Sequence, residues 1–221
     1  MMRSKIRLQA IFDMVKAPCI LADIGCDHGL LPIALIKQEK CIKAYACDIR
    51  KGPLSRAEEA IIEAGLAGRV IPVLCDGLSG IKEDVDAIVI AGMGYDTIIH
   101  ILEQDLDKTP QFKQIIIQCN GRVDELRQWL SEHEFTIDEE RIVKDRHFYQ
   151  LLSIHREKSR PLTKRECMFG IHMKDDPLFQ EYWLTILQKK KAILDKLQEN
   201  HKNYTITKEW IDMITNELNL S

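Results

Sequence analysis

The sequence predicts an α/β protein whose mostly parallel sheet is followed by a small helical hairpin. Short apolar runs alternate with amphipathic helical segments as far as residue 133, and this alternation favours a parallel sheet covered on both faces. Two more strand-like runs then follow without a helix between them, joined by the charged turn 144–146. Such a pair favours an antiparallel hairpin that closes the sheet.

Each element is predicted from the spacing of its apolar residues. A first helix is expected to begin at Ser4, whose hydroxyl can cap it, and to end before Pro18. Later helices have apolar residues three or four positions apart, and strands are short apolar runs. The expected strands are 20–24, 43–47, 70–75, 87–90, 114–118, 135–143 and 148–154, and the expected helices are 30–38, 54–64, 95–103 and 123–133.

The chain is expected to form two domains. The alternating pattern defines a first domain over residues 1–158. Helical periodicity lapses over 159–176, with Pro161 and Pro177 as breakers, and we expect a linker there. Residues 177–221 contain two apolar helical faces on either side of a polar turn, which predicts a two-helix hairpin.

Composition favours a reducing compartment. The seven cysteines are odd in number and include no C-x-x-C pair, so no disulfide framework is expected. No apolar run approaches the roughly 18 residues that a membrane span needs. We therefore expect a cytoplasmic protein without a membrane segment. The net charge of −3 neither requires nor excludes a nucleic-acid partner, because the position of the charges decides that.

The most informative segment is the run from Asp23 to Gly29. Gly25 and Gly29 permit a tight turn between a strand and a helix and let the backbone approach a ligand closely. The carboxylate of Asp23 would repel a pyrophosphate and attract a cationic ligand. The segment resembles the S-adenosylmethionine (SAM) loop of Rossmann-like methyltransferases, whose ligand carries an ammonium and a sulfonium. We assign its residues Asp23, Gly25, Cys26, Asp27 and Gly29 to cofactor binding.

Two more acidic residues follow the next two strands. Asp48 stands where a carboxylate can accept hydrogen bonds from both ribose hydroxyls of an adenosine-containing ligand, and Ile49 is assigned beside it. A cap for the following helix is an equal alternative for Asp48. Asp76, before Gly77, stands where a methyltransferase places an acceptor for the adenine amino group, although a lone Asp-Gly pair is usually a turn. Three acidic residues at successive strand ends together favour SAM.

The fourth strand ends in a segment with two glycines, where a methyl acceptor should meet the sulfonium. We assign Ala91, Gly92 and Met93 to the cofactor side and Gly94 and Tyr95 to the acceptor side. The Asn-Pro-Pro-Tyr signature of methyltransferases acting on exocyclic amines is absent, which disfavours that chemistry. The alternative is that the glycines merely let a helix pack against the strand.

Three motifs carry a more specific resemblance. They are the segments 23–32 (DIGCDHGLLP), 90–94 (IAGMG) and 118–130 (QCNGRVDELRQWL). Together they resemble the bacterial tRNA (adenine-22-N1)-methyltransferase family. The resemblance implies a Rossmann-like class I methyltransferase sheet that binds SAM, a C-terminal helical hairpin resembling a coiled coil, and methylation of tRNA adenosine 22 at N1. The chain departs from the family at Cys26 and Tyr95, and it has Gln-Cys-Asn-Gly at 118–121 where the family typically has Gln-Pro-Asn-Asn.

The implied reaction needs little acid–base assistance. Adenine N1 already has an in-plane lone pair, so alignment of the acceptor with the cofactor should dominate catalysis. Asp27 and His28 match the Asp-His pair of the family's first loop and are the candidate catalytic residues. Asp27 could equally bind the amino group of SAM, and His28 could serve only to hold the loop. No metal-ligand spacing is present, so no metal is expected.

A basic stretch is the candidate tRNA contact, together with the C-terminal hairpin. Residues 141–165 include eight basic and two acidic residues, although a solvated edge is the simpler interpretation. The residues assigned to substrate binding beyond the fourth strand are Asn120, Arg122, Arg160, Lys164 and Arg165. We expect tRNA as the partner, and a monomer or weak dimer.

Three alternatives stay open at this point. Enzymes that act on another RNA or on a small molecule share the same cofactor motifs. An NAD-linked oxidoreductase is disfavoured by Asp23 and Asp76. A non-catalytic RNA-binding module that keeps the fold is disfavoured by the intact acidic residues at 23, 48 and 76.

Overall fold

The computed structural model describes residues 5–220, so the expected cap at Ser4 lies outside the described residues. Within this range seven strands form one sheet in the order β3-β2-β1-β4-β5-β7-β6. The strands are β1 (Cys19–Ile24), β2 (Cys41–Asp48), β3 (Val70–Leu74), β4 (Ala87–Met93), β5 (Gln114–Cys119), β6 (Phe135–Lys144) and β7 (Phe148–Arg156). Neighbouring strands from β3 to β5 pair in parallel, and β7 pairs antiparallel with both β5 and β6. The predicted Rossmann-like sheet with a closing hairpin is confirmed.

Helices cover both faces of this sheet. They are α1 (Lys5–Met14), α2 (Leu30–Lys37), α3 (Lys51–Glu63), α4 (Tyr95–Gln104), α5 (Val123–Glu132) and α6 (Lys164–Phe169). Successive residues of β5 belong to different hydrophobic clusters, because side chains alternate across a strand. Ile115 and Ile117 pack in the cluster that includes Leu102 of α4, whereas Ile116 packs in the cluster that includes Leu35 of α2. The sheet therefore separates two hydrophobic cores, one on each of its faces.

The stretch 159–176 differs from the expected linker, because it contains α6 and a short 3-10 helix, Met173–Asp175. Arg127 is fully buried and forms an ion pair of 2.6 Å between its Nε and Oε1 of Glu140. Its Nη1 also donates to the backbone oxygen of Cys167 over 3.1 Å. Nη2 of Arg127 donates to Gln150 of β7, and the stretch supplies the other partners of the charge pair, so residues up to Met173 belong to the first compact unit.

Residues 174–221 form the second unit, which consists of two helices. These are α7 (Phe179–Leu194) and α8 (Tyr204–Glu217), which pack against each other. The ammonium of Lys190 lies 4.2 Å from the ring centroid of Trp210. The predicted pair of C-terminal helices is confirmed. In the described part of the chain, no helix is long and apolar enough to cross a membrane.

Candidate active site

The candidate site lies at the carboxyl ends of the parallel strands. The strand order reverses between β1 and β4, which are neighbours in the sheet although β2 and β3 come between them in the chain. Open α/β sheets bind ligands at such a reversal, outside the carboxyl ends of the strands. The loops after β1, β2, β3, β4 and β5 meet there, and they carry most of the residues predicted from the sequence.

The loop after β1 is held close to the neighbouring strand. The backbone N–H groups of Gly25 and Cys26 both donate to the oxygen of Cys47, over 2.8 and 2.9 Å. Gly25 has a φ of +78°, and a Cβ there would lie 2.4 Å from Cε of Met93. The positive φ favours glycine at this position, and the Met93 methyl group is the atom that a side chain would have to displace. The loop therefore borders a cavity above the ends of β1 and β4.

Asp23 lines this cavity at the end of β1. It is 7% exposed, and no donor among residues 5–220 contacts its carboxylate. Burial, and next the charge of Asp48, raises the pKa of Asp23 to about 7. A cavity of about 120 Å³ is lined by Asp23, Gly25, Cys26, His28 and further residues of the loop and of α1. A buried acceptor without a donor fits a ligand that supplies a positive charge, as the sequence predicted.

Asp48 and Asp76 follow the two neighbouring strands. Asp48 is 5% exposed, and its Oδ1 accepts from the N–H of Arg50 over 2.8 Å. This bond holds the turn before α3, so the alternative role of Asp48 at the start of the helix uses one carboxylate oxygen. The other oxygen is left for a ligand. Ile49 is 60% exposed next to it. Asp76 is exposed after β3 and precedes the buried Gly77. The predicted nucleoside-binding residues are thus brought to one edge.

The end of β4 and the residues after it, 92–95, are called the Gly92 loop below and are fixed by a hydrogen-bond network. The N–H of Gly92 donates to Oε1 of Gln118 over 3.2 Å, and its oxygen accepts from Nδ2 of Asn120 over 2.8 Å. Nε2 of Gln118 donates to Oδ1 of Asn120 over 3.0 Å. A Cβ on Gly92 would come nearest to Arg7, at 3.4 Å, and one on Gly94 would meet nothing within 4 Å. Gly94 therefore faces open space and does not serve helix packing, whereas a side chain at Gly92 would contact Arg7 of α1.

Tyr95 and Arg122 form the far side of this loop. The guanidinium of Arg122 lies 4.2 Å from the ring centroid of Tyr95. Arg122 also donates to Asp96 over 2.9 Å and to Glu125 over 2.6 and 2.8 Å. Two carboxylates therefore neutralise Arg122, which is left to stack on Tyr95 more than to attract an anion.

Asp27 and His28 lie at the mouth of the cavity. His28 Nε2 is 3.8 Å from Oδ1 of Asp27, and Arg56 Nη2 is 3.6 Å from the same oxygen. The Asp27 and His28 side chains are 69% and 47% exposed. Both can therefore reach a bound ligand without rearrangement of the core.

The predicted substrate residues at 160–165 lie elsewhere. Arg160 lines a cavity with Phe135 and Thr136, at the start of β6 and the opposite edge of the sheet. Its guanidinium is bound by Glu166, which also closes the capping box of α6 with Thr163. Lys164 and Arg165 are exposed in the first turn of α6.

Two residues of the site were missed by the sequence analysis. Arg7 donates from Nη1 to Oε1 of Gln118 over 2.7 Å, and its buried Nε has no partner in the described chain. Gln118 is fully buried at the end of β5. Arg7 lies one helical turn before the buried Ile11, so a cation on the apolar face of α1 was the available signal.

Comparison with known proteins identifies similar sequences. A family model described as tRNA (adenine(22)-N(1))-methyltransferase matches residues 21–217. The tRNA (adenine(22)-N(1))-methyltransferase of Bacillus subtilis (strain 168) is 35% identical over 148 residues, which cover 66% of this chain and 62% of that protein. The aligned part therefore spans less than two thirds of the length of this relative.

Solved structures match over nearly the whole chain. M. capricolum TrmK, solved with S-adenosyl-homocysteine, is 30% identical, with 99% of each chain covered and a TM-score of 0.87. The B. subtilis M1A22 tRNA methyltransferase TrmK is 27% identical, with 99% of this chain and 97% of that chain covered and a TM-score of 0.79. A Streptococcus agalactiae protein of the NADB-Rossmann superfamily is 32% identical, covers 99% and 98%, and gives a TM-score of 0.92.

Proposed function

This chain belongs to the tRNA (adenine(22)-N(1))-methyltransferase family, and from that premise we infer that it is a SAM-dependent enzyme that methylates N1 of an adenine in tRNA. The observation that carries this function is the buried Asp23, which lines a cavity beside the loop after β1 and whose carboxylate accepts no hydrogen bond within residues 5–220. An unpaired buried carboxylate is costly unless a ligand supplies the missing partner.

The chemistry of the acidic residues fits SAM. Asp23 offers an acceptor for the ammonium, the remaining oxygen of Asp48 can accept from the ribose, and Asp76 can accept from the adenine amino group. Ile49 is exposed beside Asp48 and offers an apolar surface to the adenine ring. SAM supplies, when bound, a methyl group made electrophilic by its sulfonium. An NAD-linked oxidoreductase is disfavoured, because Asp23 would face the pyrophosphate.

The chain's own contribution to catalysis is to align the acceptor. Gly94 leaves open space at the end of β4, and Gln118 with Asn120 fixes the peptide of the neighbouring Gly92. Adenine N1 carries its own lone pair, so a correctly placed base can attack without prior deprotonation. Asp27 and His28 are exposed at the cavity and can receive a proton from the amino group of the product.

Position 22 of the tRNA is supported by the family description. We assign part of the tRNA binding to the two-helix hairpin over 177–221, because the residues assigned to the cofactor all lie in the first unit. We place the protein in the cytoplasm, where its free cysteines are stable and tRNA is modified. We propose a monomer or weak dimer in solution.

One experiment tests substrate, reaction and position together. The purified protein is incubated with labelled SAM and unmodified tRNA, and the modified nucleotide is mapped. We expect 1-methyladenosine at position 22, and no label in a tRNA whose adenine 22 is replaced by guanine. Labelling of another RNA or of a small molecule would overturn the tRNA substrate. Failure to bind SAM would favour the non-catalytic RNA-binding module.

A further inference from the structure

The tip of the β6–β7 hairpin, residues 144–147, lies at the active-site edge of the sheet. Lys144 of β6 is paired with Phe148 of β7, and Gln150 of β7 is paired with Cys119 at the end of β5. Cys119 in turn is paired with Met93 at the end of β4. The turn of the hairpin therefore extends beyond the same edge as the Gly92 loop.

The tip is on the acceptor side of the site. The sheet order places β7 two strands from β4, while the strands that carry Asp23 and Asp48 lie on the other side of β4. Two strand spacings amount to roughly 10 Å. The guanidinium of Arg7 lies 5.3 Å from the ring centroid of Tyr149, and Arg7 also binds Gln118. The root of the hairpin thus contacts the network that fixes the Gly92 loop.

The tip presents positive charge to solvent. Arg146 is exposed, and no acidic side chain pairs with it within residues 5–220. The exposed Lys144 adds a second positive charge, whereas Oδ2 of Asp145 is buried. Asp145 therefore forms no ion pair with Arg146 within residues 5–220.

Other cations of the basic stretch are paired with carboxylates. Those pairs are Arg141 with Glu139, Arg156 with Glu134, and Arg160 with Glu166. Arg156 also ends β7 at the opposite edge, roughly 26 Å of strand away from Phe148. The basic stretch therefore contains cations that are paired with carboxylates and, at the hairpin tip, Arg146, which is not paired with one in the described part of the chain.

We propose that the hairpin tip binds the phosphate backbone of the tRNA beside the target adenosine, with Arg146 as the principal contact. This inference rests on the proposed tRNA substrate. When the adenine reaches the Gly92 loop from the acceptor side, the adjoining phosphates come close to the tip. A guanidinium with its donors unused matches a phosphate in charge and geometry, and such contacts position an RNA without reading its sequence.

The test compares Arg146→Gln with Lys158→Gln as a matched control. Lys158 is 82% exposed just beyond the other end of β7, and its Nζ lies 3.9 Å from Oε1 of Glu134. Both changes remove one surface charge, but only Arg146 lacks a carboxylate partner within residues 5–220. We expect Arg146→Gln to weaken tRNA binding about threefold to tenfold and to lower the slope of log affinity against log salt by about 0.7–0.9. Lys158→Gln should leave both quantities unchanged. The melting temperature and SAM affinity of both variants should equal those of the wild type.

A second variant, Arg146→Lys, should keep the salt slope, because the charge is retained, while it loses part of the affinity. Wild-type affinity and slope in Arg146→Gln would overturn the inference, as would an equal loss in the Lys158→Gln control. Wild-type protein that neither binds nor methylates tRNA would instead overturn the proposed function itself. Normal methylation by the wild type with an unaffected Arg146→Gln would overturn the tip contact alone.

Discussion

Nη1 of Arg7 and Oε1 of Gln118 are joined by a hydrogen bond of 2.7 Å across 111 positions of the chain. The same oxygen accepts from the N–H of Gly92, so one buried side chain holds the first helix and the Gly92 loop together. The amide of Gln118 also fixes Asn120, which in turn binds the oxygen of Gly92. The conformation of the Gly92 loop therefore depends on Gln118.

Replacement of Gln118 by leucine should reduce turnover more than SAM affinity. The change leaves the N–H of Gly92 and a donor of Arg7 without their partner, at an expected cost of about 1–3 kcal/mol in the free energy of unfolding. The loosened loop should lower kcat for tRNA methylation at least tenfold, because alignment is lost, while SAM affinity stays within about threefold. Calorimetry with SAM and single-turnover methylation measure the two effects.

Gln114→Leu is the matched control. Gln114 is also buried in β5, at the opposite end, where it donates to the backbone oxygen of Met14 and to the hydroxyl of Ser153. We expect a comparable loss of stability with unchanged kcat. Equal losses of kcat in both variants would mean that activity falls because the protein is destabilised, and not because the Gly92 loop loses its conformation.

SAM binding should weaken as the pH falls below 7. The pKa of Asp23 is raised to about 7 in the protein without ligand, so its carboxylate is ionised above pH 7 and protonated below it. A cationic ligand favours the ionised form, and affinity should fall by up to about tenfold per pH unit between pH 7 and 5.5. Asp23→Asn should bind SAM weakly and with a flat profile over this range. A flat profile in the wild type would contradict the role of Asp23.

The same pKa makes a prediction for stability. Because the folded-state pKa lies above the ordinary value of 3.8, ionisation of Asp23 lowers the free energy of unfolding as the pH rises from about 4 to 7. Asp23→Asn removes this penalty, which amounts to at most about 4 kcal/mol. The variant without SAM should therefore melt at a higher temperature than the wild type at pH 8, and the difference should shrink at pH 5.

Asp48→Asn should weaken SAM binding by about 1.5–3 kcal/mol, or roughly tenfold to 150-fold, because hydrogen bonds to a charged acceptor are lost. The asparagine keeps an oxygen for the N–H of Arg50, so the turn before α3 should survive. Titration calorimetry gives the affinity and circular dichroism checks the fold. Wild-type affinity in a folded variant would remove Asp48 from the cofactor site.

Gly94→Val should block the acceptor without disturbing the cofactor. Gly94 has a φ of −79°, which any residue can adopt, and an added Cβ meets no atom within 4 Å. SAM affinity should stay within about threefold while tRNA methylation falls at least tenfold, because the branched side chain fills the approach. Gly92→Val is a poorer test, since the φ of +80° at Gly92 adds backbone strain. A parallel loss of SAM affinity would place Gly94 against the cofactor instead.

Two truncations should behave differently. A fragment of residues 1–158 lacks the N–H groups of Ile171 and His172, which donate to Oε2 of Glu140 over 2.6 and 3.1 Å. The buried pair of Glu140 with Arg127 would then be incompletely bonded, at a cost of about 2–5 kcal/mol. We expect this fragment to aggregate and the fragment 1–173 to fold, bind SAM and methylate tRNA poorly. Equal melting temperatures of the two fragments would contradict this role of 159–173.

Several features of the protein follow from its sequence alone. Local periodicity, which depends on neighbouring residues only, predicts the alternation of strands and helices, the closing hairpin and the pair of C-terminal helices. The acidic residues at 23, 48 and 76 could be placed at one edge because parallel strands bring their carboxyl ends together.

The tertiary structure alone decided which distant residues meet. Arg7 reaches Gln118, and the stretch after β7 completes the hydrogen bonds of Arg127 and Glu140. Strand direction also separates Arg146 from Arg160, although both lie in one basic stretch. These contacts join residues 31 to 111 positions apart and depend on strand order and register, about which local spacing carries no information.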